Sequence, residues 1–401
     1  MSLANLKRVD RAAVLKDGVR AATLLRTQGG VQFGYQPGYS GEALAFTLPL
    51  GPEPVFQGGG ALPPFFAGLL PEGRRLNAIV RATKTSADDE LTLLLAVGED
   101  TVGDVQVVPD EGRVLETSPA SADTKQRPLS EVDFEELFAS AIGTAPSDLM
   151  GIAGLQDKVS ARMITLPVEL QGAAWILKLN PPEFPHLVEN EAFFLGAARD
   201  SNLDAAEAKL VHDRQERPGL LVRRFDRVVE GPDLRRLAQE DACQVMGLYP
   251  ADKYRVTTEQ VALALMACTA APLVAARNLI RQFAFGYLTG NGDIHAKNVS
   301  VLRREEWVVA PAYDLPSSLP YGDRTMALSI NDRDGENIRR KDFFALGESV
   351  GVPAPAVARV LDELLKSMPK WWDKLPQLPF PAPAIRKLSR TLELRAKRLS
   401  P

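Results

Sequence analysis

Cysteine and histidine are scarce in this chain. Of its 401 residues two are cysteine and three histidine. Cys243 and Cys268 do not form a C-x-x-C spacing, so neither a zinc knuckle nor a dithiol redox pair can be read from them. With only His186, His212 and His295 available, a His-rich metal centre is not expected. A basic surplus is lacking too. Forty-seven Lys and Arg face 51 Asp and Glu, giving a net charge of −4. Autonomous nucleic-acid binders usually carry the opposite balance, so only a local basic patch could serve that purpose. Long hydrophobic runs are also missing. The most apolar stretch, "VALALMACTAAPLVAA" (261–276), is too short to span a bilayer and is interrupted by Pro272. It reads as two buried helices meeting at the proline. The opening "MSLANLKRVDRAAVLKDG" has no apolar signal core. A cytoplasmic protein without membrane contact is expected.

What remains is an ordinary globular composition, 45% hydrophobic and 24% charged. The length suits two or three domains or one large two-lobed unit. The first segment reads as mostly β. Asp17-Gly18 between apolar runs is a hairpin signal, and "VQFGYQ" alternates as a half-buried strand does. Residues 58–73 read as a loop and then a short helix ending near Gly73. "DELTLLLAVGEDTVGDVQVVP" reads as helix, turn and strand. The polar stretch from Asp110 to Ser130 marks a boundary, which sets a first domain at 1–112 and a linker at 113–130. From 131 to 227 the order is glycine-containing loop, strand, strand ("GAAWILKLN"), helix ("HLVENEAFFLGAARDSN") and strand ("PGLLVRRFDRV"). From 228 to 401 helices dominate, with expected spans 238–248, 258–270, 272–288, 341–350, 354–367 and 383–399.

One motif concentrates polar groups: "GNGDIHAKNVSVL" (290–302). Asp293 and Asn298 stand five apart, and a tight loop can turn both toward one point. Phosphoryl transfer to a hydroxyl needs such a pair. A carboxylate orients the hydroxyl and accepts its proton, and a carboxamide oxygen helps hold Mg²⁺ against the phosphates. A second carboxylate should hold the metal, and "VVAPAYDL" supplies Asp314. "VSVL" and "WVVA" can pair as a hairpin that returns Asp314 to Asn298. The order D-x-x-x-x-N, hairpin, D matches kinase catalytic and metal loops. His295 reads as a brace for the turn. Lys178 in "WILKLN" is costly to bury without an anionic partner, and such a lysine can hold nucleotide phosphates. Glu191 is the better-placed carboxylate to position it, and Glu189 the alternative. "GIAGLQDK" (151–158) fits neither common phosphate-loop pattern, but it stands one hairpin before Lys178.

The set as a whole resembles the HipA family of bacterial serine/threonine kinases, the toxins of HipBA-type toxin–antitoxin pairs. The resemblance rests on "LPPFFAGLLPEG" (62–73), "GEDTVGDVQ" (98–106), "GIAGLQDKVS" (151–160), "ILKL" (176–179), "ENE" (189–191), "VRRFDR" (222–227), "QEDACQ" (239–244), "GNGDIHAKN" (290–298), "AYDL" (312–315) and "MALSIN" (326–331). It implies an α+β, two-lobed protein-kinase-like fold, with a small β-rich N-terminal domain and a mainly helical C-terminal lobe. It makes Asp293 the catalytic base, and Asn298 and Asp314 the Mg²⁺ ligands. Around ATP it places Lys178 at the phosphates and the segment Ala153, Gly154, Leu155, Gln156, Asp157 and Lys158 as the phosphate-facing loop. Arg223, Arg224 and Phe225 would lie at the adenine hinge. His295, Ala296 and Lys297 would line the catalytic loop, with Tyr313 beside Asp314. A HipB-like helix-turn-helix antitoxin is implied as partner, an aminoacyl-tRNA synthetase as protein substrate, and DNA contact only through the antitoxin.

One departure stands out. Family members often carry serine in the glycine-containing loop, where autophosphorylation inactivates the kinase. Here the letters are Gly151-Ile152-Ala153-Gly154, so this chain is expected not to switch itself off there. Either another control replaces that switch, or the serine has been engineered out. Rival readings are a small-molecule or lipid kinase, which also uses D-x-H-x-x-N followed by a metal-binding Asp, and a catalytically silent antitoxin-binding corepressor. A metal hydrolase centred on His295 fails for want of further ligands.

Overall fold

The computed structural model of the chain describes residues 2–110, 128–142, 163–170, 172–230 and 233–401. The first domain is built on a five-stranded antiparallel sheet of β1 (Arg11–Lys16), β2 (Val19–Thr27), β3 (Gly30–Tyr35), β4 (Val55–Gly58) and β5 (Val105–Pro109), in the order β4-β3-β2-β1-β5. Asp17 and Gly18 both take positive φ, 49° and 76°, as a tight hairpin between twisted strands requires. Three helices, α1 (Pro64–Gly68), α2 (Gly73–Thr83) and α3 (Glu90–Val97), help to bury Val14, Leu24, Phe33 and Val107 around Phe66 and Leu94. The sequence expectation misplaced a boundary. The short helix ends at Gly68, and Gly73, at φ 56°, opens α2 instead. β4 was also missed. Its exposed Val55 and Phe56 give no inward–outward alternation to read.

A second antiparallel sheet has the order β6-β7-β9-β8, formed by β6 (Ile164–Leu170), β7 (Ala173–Leu179), β8 (Ala208–His212) and β9 (Pro218–Arg223). It is flanked by α4 (Phe134–Ile142) and α5 (Leu187–Asp200). Leu166, Trp175 and Leu177 of this sheet share one core with Phe134 and Phe138 of α4, and with Ala78, Ile79 and Leu93 of the first domain. The two units are therefore packed into each other. β8 escaped the sequence because its inner positions Lys209 and Leu210 are exposed and it carries no period-2 pattern.

The remaining residues form β10 (Arg227–Glu230), β11 (Asp233–Arg236), β12 (Gln239–Asp241), α6 (Ala242–Met246), α7 (Thr258–Ala267), α8 (Pro272–Thr289), β13 (Ser300–Arg303) and β14 (Trp307–Val309). They end with α9 (Arg340–Ser349), α10 (Ala354–Ser367), α11 (Pro369–Trp372) and α12 (Ala382–Leu399). α7 and α8 meet at Pro272, which occupies the first turn of α8, where its missing N–H costs nothing. "VSVL" and "WVVA" pair as expected, with Val301 opposite Val309. The expected helix 238–248 is instead a strand followed by a short helix. Asp241 and Gln244 form a reciprocal capping box that fixes the helix start at Ala242, and residues 239–241 pair with 300–302. α12 carries Arg395, which is 1% exposed. Its guanidinium donates to the carbonyls of Tyr287 and Arg324, both at 2.7 Å.

β12 also holds an acid in an unfavourable place. Glu240 is buried and accepts the Phe46 N–H of the first domain at 3.0 Å. Burial lifts its carboxyl to about 8, with the Phe46 N–H and Lys16 opposing. The folded state thus retains a proton that the unfolded chain releases above about 4.5. Stability from this group is fullest below that value and falls as pH rises toward 8. Glu240→Gln keeps an acceptor oxygen for Phe46. It is expected to exceed the wild type in stability by roughly 1–4 kcal/mol near pH 8, with the gain shrinking as pH falls. Urea unfolding across that range measures it, and a pH-independent difference would refute the assignment.

Candidate active site

Lys178 stands in the middle strand pair of the second sheet, opposite Leu220 on β9 and Thr165 on β6. Its ammonium donates to both carboxylate oxygens of Glu191, at 2.7 and 2.9 Å, and to Asp314 Oδ1 at 2.8 Å. The anionic partner demanded by a buried lysine is thus present twice. Burial works against the ammonium, but Asp314 and Glu191 outweigh it and hold its pKa above the ordinary lysine range. Burial raises Glu191, Lys178 opposes, and the nearby Asp314 adds to the rise. Glu191 is the partner rather than Glu189, whose carboxylate accepts Asn180 Nδ2 at 2.9 Å and lies 3.1 Å from His186 Nδ1. Asn190, between them, is fully buried and exchanges two hydrogen bonds with the backbone of Ser317, at 2.8 and 3.0 Å. Glu191 and Asn190 of "ENE" therefore fasten Lys178 and the Ser317 backbone, while Glu189 pairs with Asn180 and His186.

The loop that follows α8 starts at Gly290, which caps the helix at φ 73°. A Cβ there would come within 2.2 Å of Leu319 Cδ1, so only glycine fits. Asn291 is fully buried. Its Oδ1 accepts the Asp293 N–H at 2.9 Å and its Nδ2 donates to the Asp314 carbonyl at 3.1 Å. A single side chain thus sets the loop of Asp293 against the turn of Asp314. Asp314 itself has φ 56°, a left-handed conformation that Asp tolerates better than most residues. Asn298 Nδ2 closes the loop onto the Asp293 carbonyl at 2.8 Å, and the carboxamide oxygen remains the amide's acceptor. Tyr254 donates its hydroxyl to Asp293 Oδ1 at 2.9 Å. The His295 ring is buried edge-on against Tyr254, with centroids 5.0 Å apart, and the backbone N–H of His295 donates to the Asp293 carbonyl at 2.9 Å.

The other expected site residues lie as follows. Ala153, Gly154, Leu155, Gln156, Asp157 and Lys158 fall outside the described residues, as does Gly151. Arg223 points to solvent and pairs with Glu207 at 3.0 Å. The Arg224 side chain is not brought to the Lys178–Asp314 cluster. It is buried against Asp226 and Asp100 and donates to the Thr101 carbonyl at 2.7 Å. Arg227 joins the same network. Burial opposes ionisation of Asp100, yet Arg224 and Arg227 outweigh it and hold its carboxyl down to about 2. Phe225 is half-buried, its ring centroid 5.7 Å from that of Tyr313. The Tyr313 hydroxyl donates to the Lys297 carbonyl at 2.8 Å and meets Ser300 Oγ at 2.6 Å. Ala296 is fully buried and gives its N–H to the Lys253 carbonyl at 3.2 Å. Lys297 stands in the catalytic loop, and its ammonium turns toward the first domain. It donates to the Gly68 carbonyl at 2.8 Å and lies 3.4 Å from Asp241 and 3.8 Å from Glu72.

A strand lysine clamped by a helix glutamate, a buried Asp–Asn loop and a second Asp held beside it form a kinase-type arrangement. The comparisons agree with it. The HipA-like C-terminal domain matches residues 150–372 and the HipA N-terminal domain matches residues 12–108. The chain belongs to the HipA family. A putative kinase of Sinorhizobium fredii, Y4mE, is 31% identical over 325 residues, covering 76% of each chain. The serine/threonine-protein kinase toxin HipA of Shewanella oneidensis is 25% identical over 350 residues, 80% of each. A solved complex of Shewanella oneidensis HipA with HipB and its operator DNA matches at a TM-score of 0.78 and 21% identity, covering 97% of both chains. The fold is the mixed α+β kinase-like fold of HipA, and the chain is a kinase. Among the described residues no helix is long and apolar enough to cross a membrane.

Tyr254, Asn291 and Asn190 were not assigned roles from the sequence. Asn291 lay within the polar cluster, but nothing local distinguishes an inward amide from a solvated one. Tyr254 and Asn190 act on partners far away in sequence.

Proposed function

We propose that this HipA-family kinase is the serine/threonine protein kinase toxin of a bacterial toxin–antitoxin pair. It would act in the cytoplasm on a translation-related protein of the aminoacyl-tRNA synthetase class. A HipB-like helix-turn-helix antitoxin would neutralise it and supply the main DNA contact. The carrying observation is the Lys178 ammonium shared by Glu191 and Asp314, with Asp314 tied through Asn291 to the Asp293 loop. Mg²⁺ binds through one or two protein oxygens together with phosphates and water. Asn298 and Asp314 would supply those oxygens. Bound with ATP, Mg²⁺ neutralises charge on the phosphates during transfer.

The chain's own residues then divide the work. Lys178, fixed by Glu191, would hold the phosphates. Asp293 would orient the acceptor hydroxyl and take its proton as the new O–P bond forms and the bond to the leaving ADP oxygen breaks. Residues 1–112 would serve as the N-terminal β-rich domain, 131–227 as the smaller kinase lobe and 228–401 as the helical lobe, joined by the linker 113–130. The antitoxin assignment rests on the relative named as bound to HipB and operator DNA, and agrees with the net charge of −4.

Incubation with γ-labelled ATP and a bacterial extract, followed by mass spectrometry, tests the substrate. Label on a serine or threonine of an aminoacyl-tRNA synthetase is expected. Label confined to lipid or sugar would overturn the protein-kinase reading. In the same digest no phosphopeptide from residues 145–165 is expected, because Gly151 and Ala153 offer no hydroxyl.

A further inference from the structure

The stretch Gly68-Leu69-Leu70-Pro71-Glu72 belongs to the N-terminal domain and has no part in the chemistry above. It nevertheless reaches the catalytic loop at two points. The Gly68 carbonyl receives the Lys297 ammonium at 2.8 Å. Glu72 pairs with Lys253 through Oε2 and lies 3.8 Å from Lys297 through Oε1. Lys253 is itself locked to the loop, since its carbonyl accepts the Ala296 N–H at 3.2 Å. Its neighbour Tyr254 donates to Asp293 Oδ1 at 2.9 Å. The Lys253 ammonium also lies 5.3 Å from the centre of the Tyr254 ring. The join is packed closely: a Cβ on Gly68 would come within 2.7 Å of Gln244 Cγ, and Gln244 Nε2 donates to the Phe65 carbonyl at 3.0 Å.

We infer that Glu72 is a positioning residue through which the N-terminal domain sets the orientation of the base Asp293, by way of Lys253 and Tyr254. This rests on the reading of Asp293 as the base. The physical argument is that a carboxylate on a short side chain within a tight loop needs fixed neighbours on more than its own backbone. Asn291 and Asn298 fix the main chain of residue 293, whereas Tyr254 contacts the carboxylate itself. Tyr254 follows directly on Lys253, and Glu72 anchors that lysine from another domain. The influence of Glu72 that reaches the Asp293 carboxylate through Tyr254 must be lost once the Tyr254 hydroxyl is gone.

The test uses the full chain. The rate of phosphate transfer from γ-labelled Mg-ATP into the proteins of a bacterial extract is measured for the wild type, Glu72→Gln, Tyr254→Phe and the double variant. Expected are turnover losses of about tenfold in each, with the double variant no worse than Tyr254→Phe. KM for ATP should change less than about twofold, as uniform nucleotide binding is untouched. Glu72→Asp should recover part of the loss. Multiplied losses in the double variant, wild-type turnover in Glu72→Gln, or a loss confined to ATP affinity would each overturn the inference. If Glu72→Gln does not fold, Lys253→Gln breaks the same bridge from its other end and is judged by the same outcomes. Asp293→Asn is run alongside: full activity there would defeat the base assignment itself, which separates that failure from failure of the coupling.

Discussion

Asp293→Asn is expected to lower phosphate transfer by roughly 10²–10⁴-fold with little change in thermal stability or in ATP affinity. The substitution replaces one carboxylate oxygen by an amide nitrogen and leaves the shape intact. The main-chain bonds of residue 293 to Asn291, Asn298 and His295 do not depend on its side chain. The Tyr254 hydroxyl can still donate to the remaining oxygen. What disappears is the ability to accept the proton of the acceptor hydroxyl. On the proposed toxin reading, the variant is expected to stop inhibiting growth in cells while still binding a HipB-like antitoxin. Transfer rate, thermal unfolding and nucleotide titration on one preparation check the whole statement. Undiminished transfer would remove Asp293 from the role of base.

Lys178→Met should fail in two ways at once, and the two can be separated. Activity is expected to fall by about 10²-fold or more, through loss of the cation aimed at the phosphates. Stability should fall as well, by about 3–5 kcal/mol, because a buried carboxylate is left without its partner. Glu191 has no exposed surface, and Asp314 held the same ammonium at 2.8 Å. Adding Glu191→Leu to Lys178→Met replaces the stranded charge by an apolar side chain of suitable size. The pair is expected to regain much of the stability and none of the activity. Denaturant unfolding and transfer assays on the single and double variants give the comparison. A Lys178→Met protein as stable as the wild type would contradict the buried clamp.

These two experiments address residues that could be read from the letters alone. Lys178 betrayed itself as a cation in an apolar strand, and Glu191 as the carboxylate one helix later. The Asp17-Gly18 hairpin, the break at Pro272 and the strand pair after Asn298 were equally legible, because each depends on neighbours a few residues away. The losses have a common cause. β12 looked like the start of a helix, since its partner strand lies some sixty residues on. The side-chain partners of Arg224 and Lys297, namely Asp100, Asp226, Gly68 and Asp241, were likewise invisible in their motifs. Tyr254, Asn190 and Glu72 act across distances that no periodicity records. Local chemistry was visible, and the tertiary partners that redirect it were not.

Arg395 gives the site an order of assembly. Synthesis runs from the N-terminus, and domains generally fold as units as they emerge. Asp293, its loop and Asp314 are all made well before α12. Yet the carbonyl of Tyr287, at the end of the helix that feeds the loop, and that of Arg324, in the segment beyond Asp314, wait for the guanidinium of Arg395. A growing chain that already holds every catalytic group still lacks the bolt across its two ends. The ribosome must travel far past the catalytic loop before the last piece drops into place.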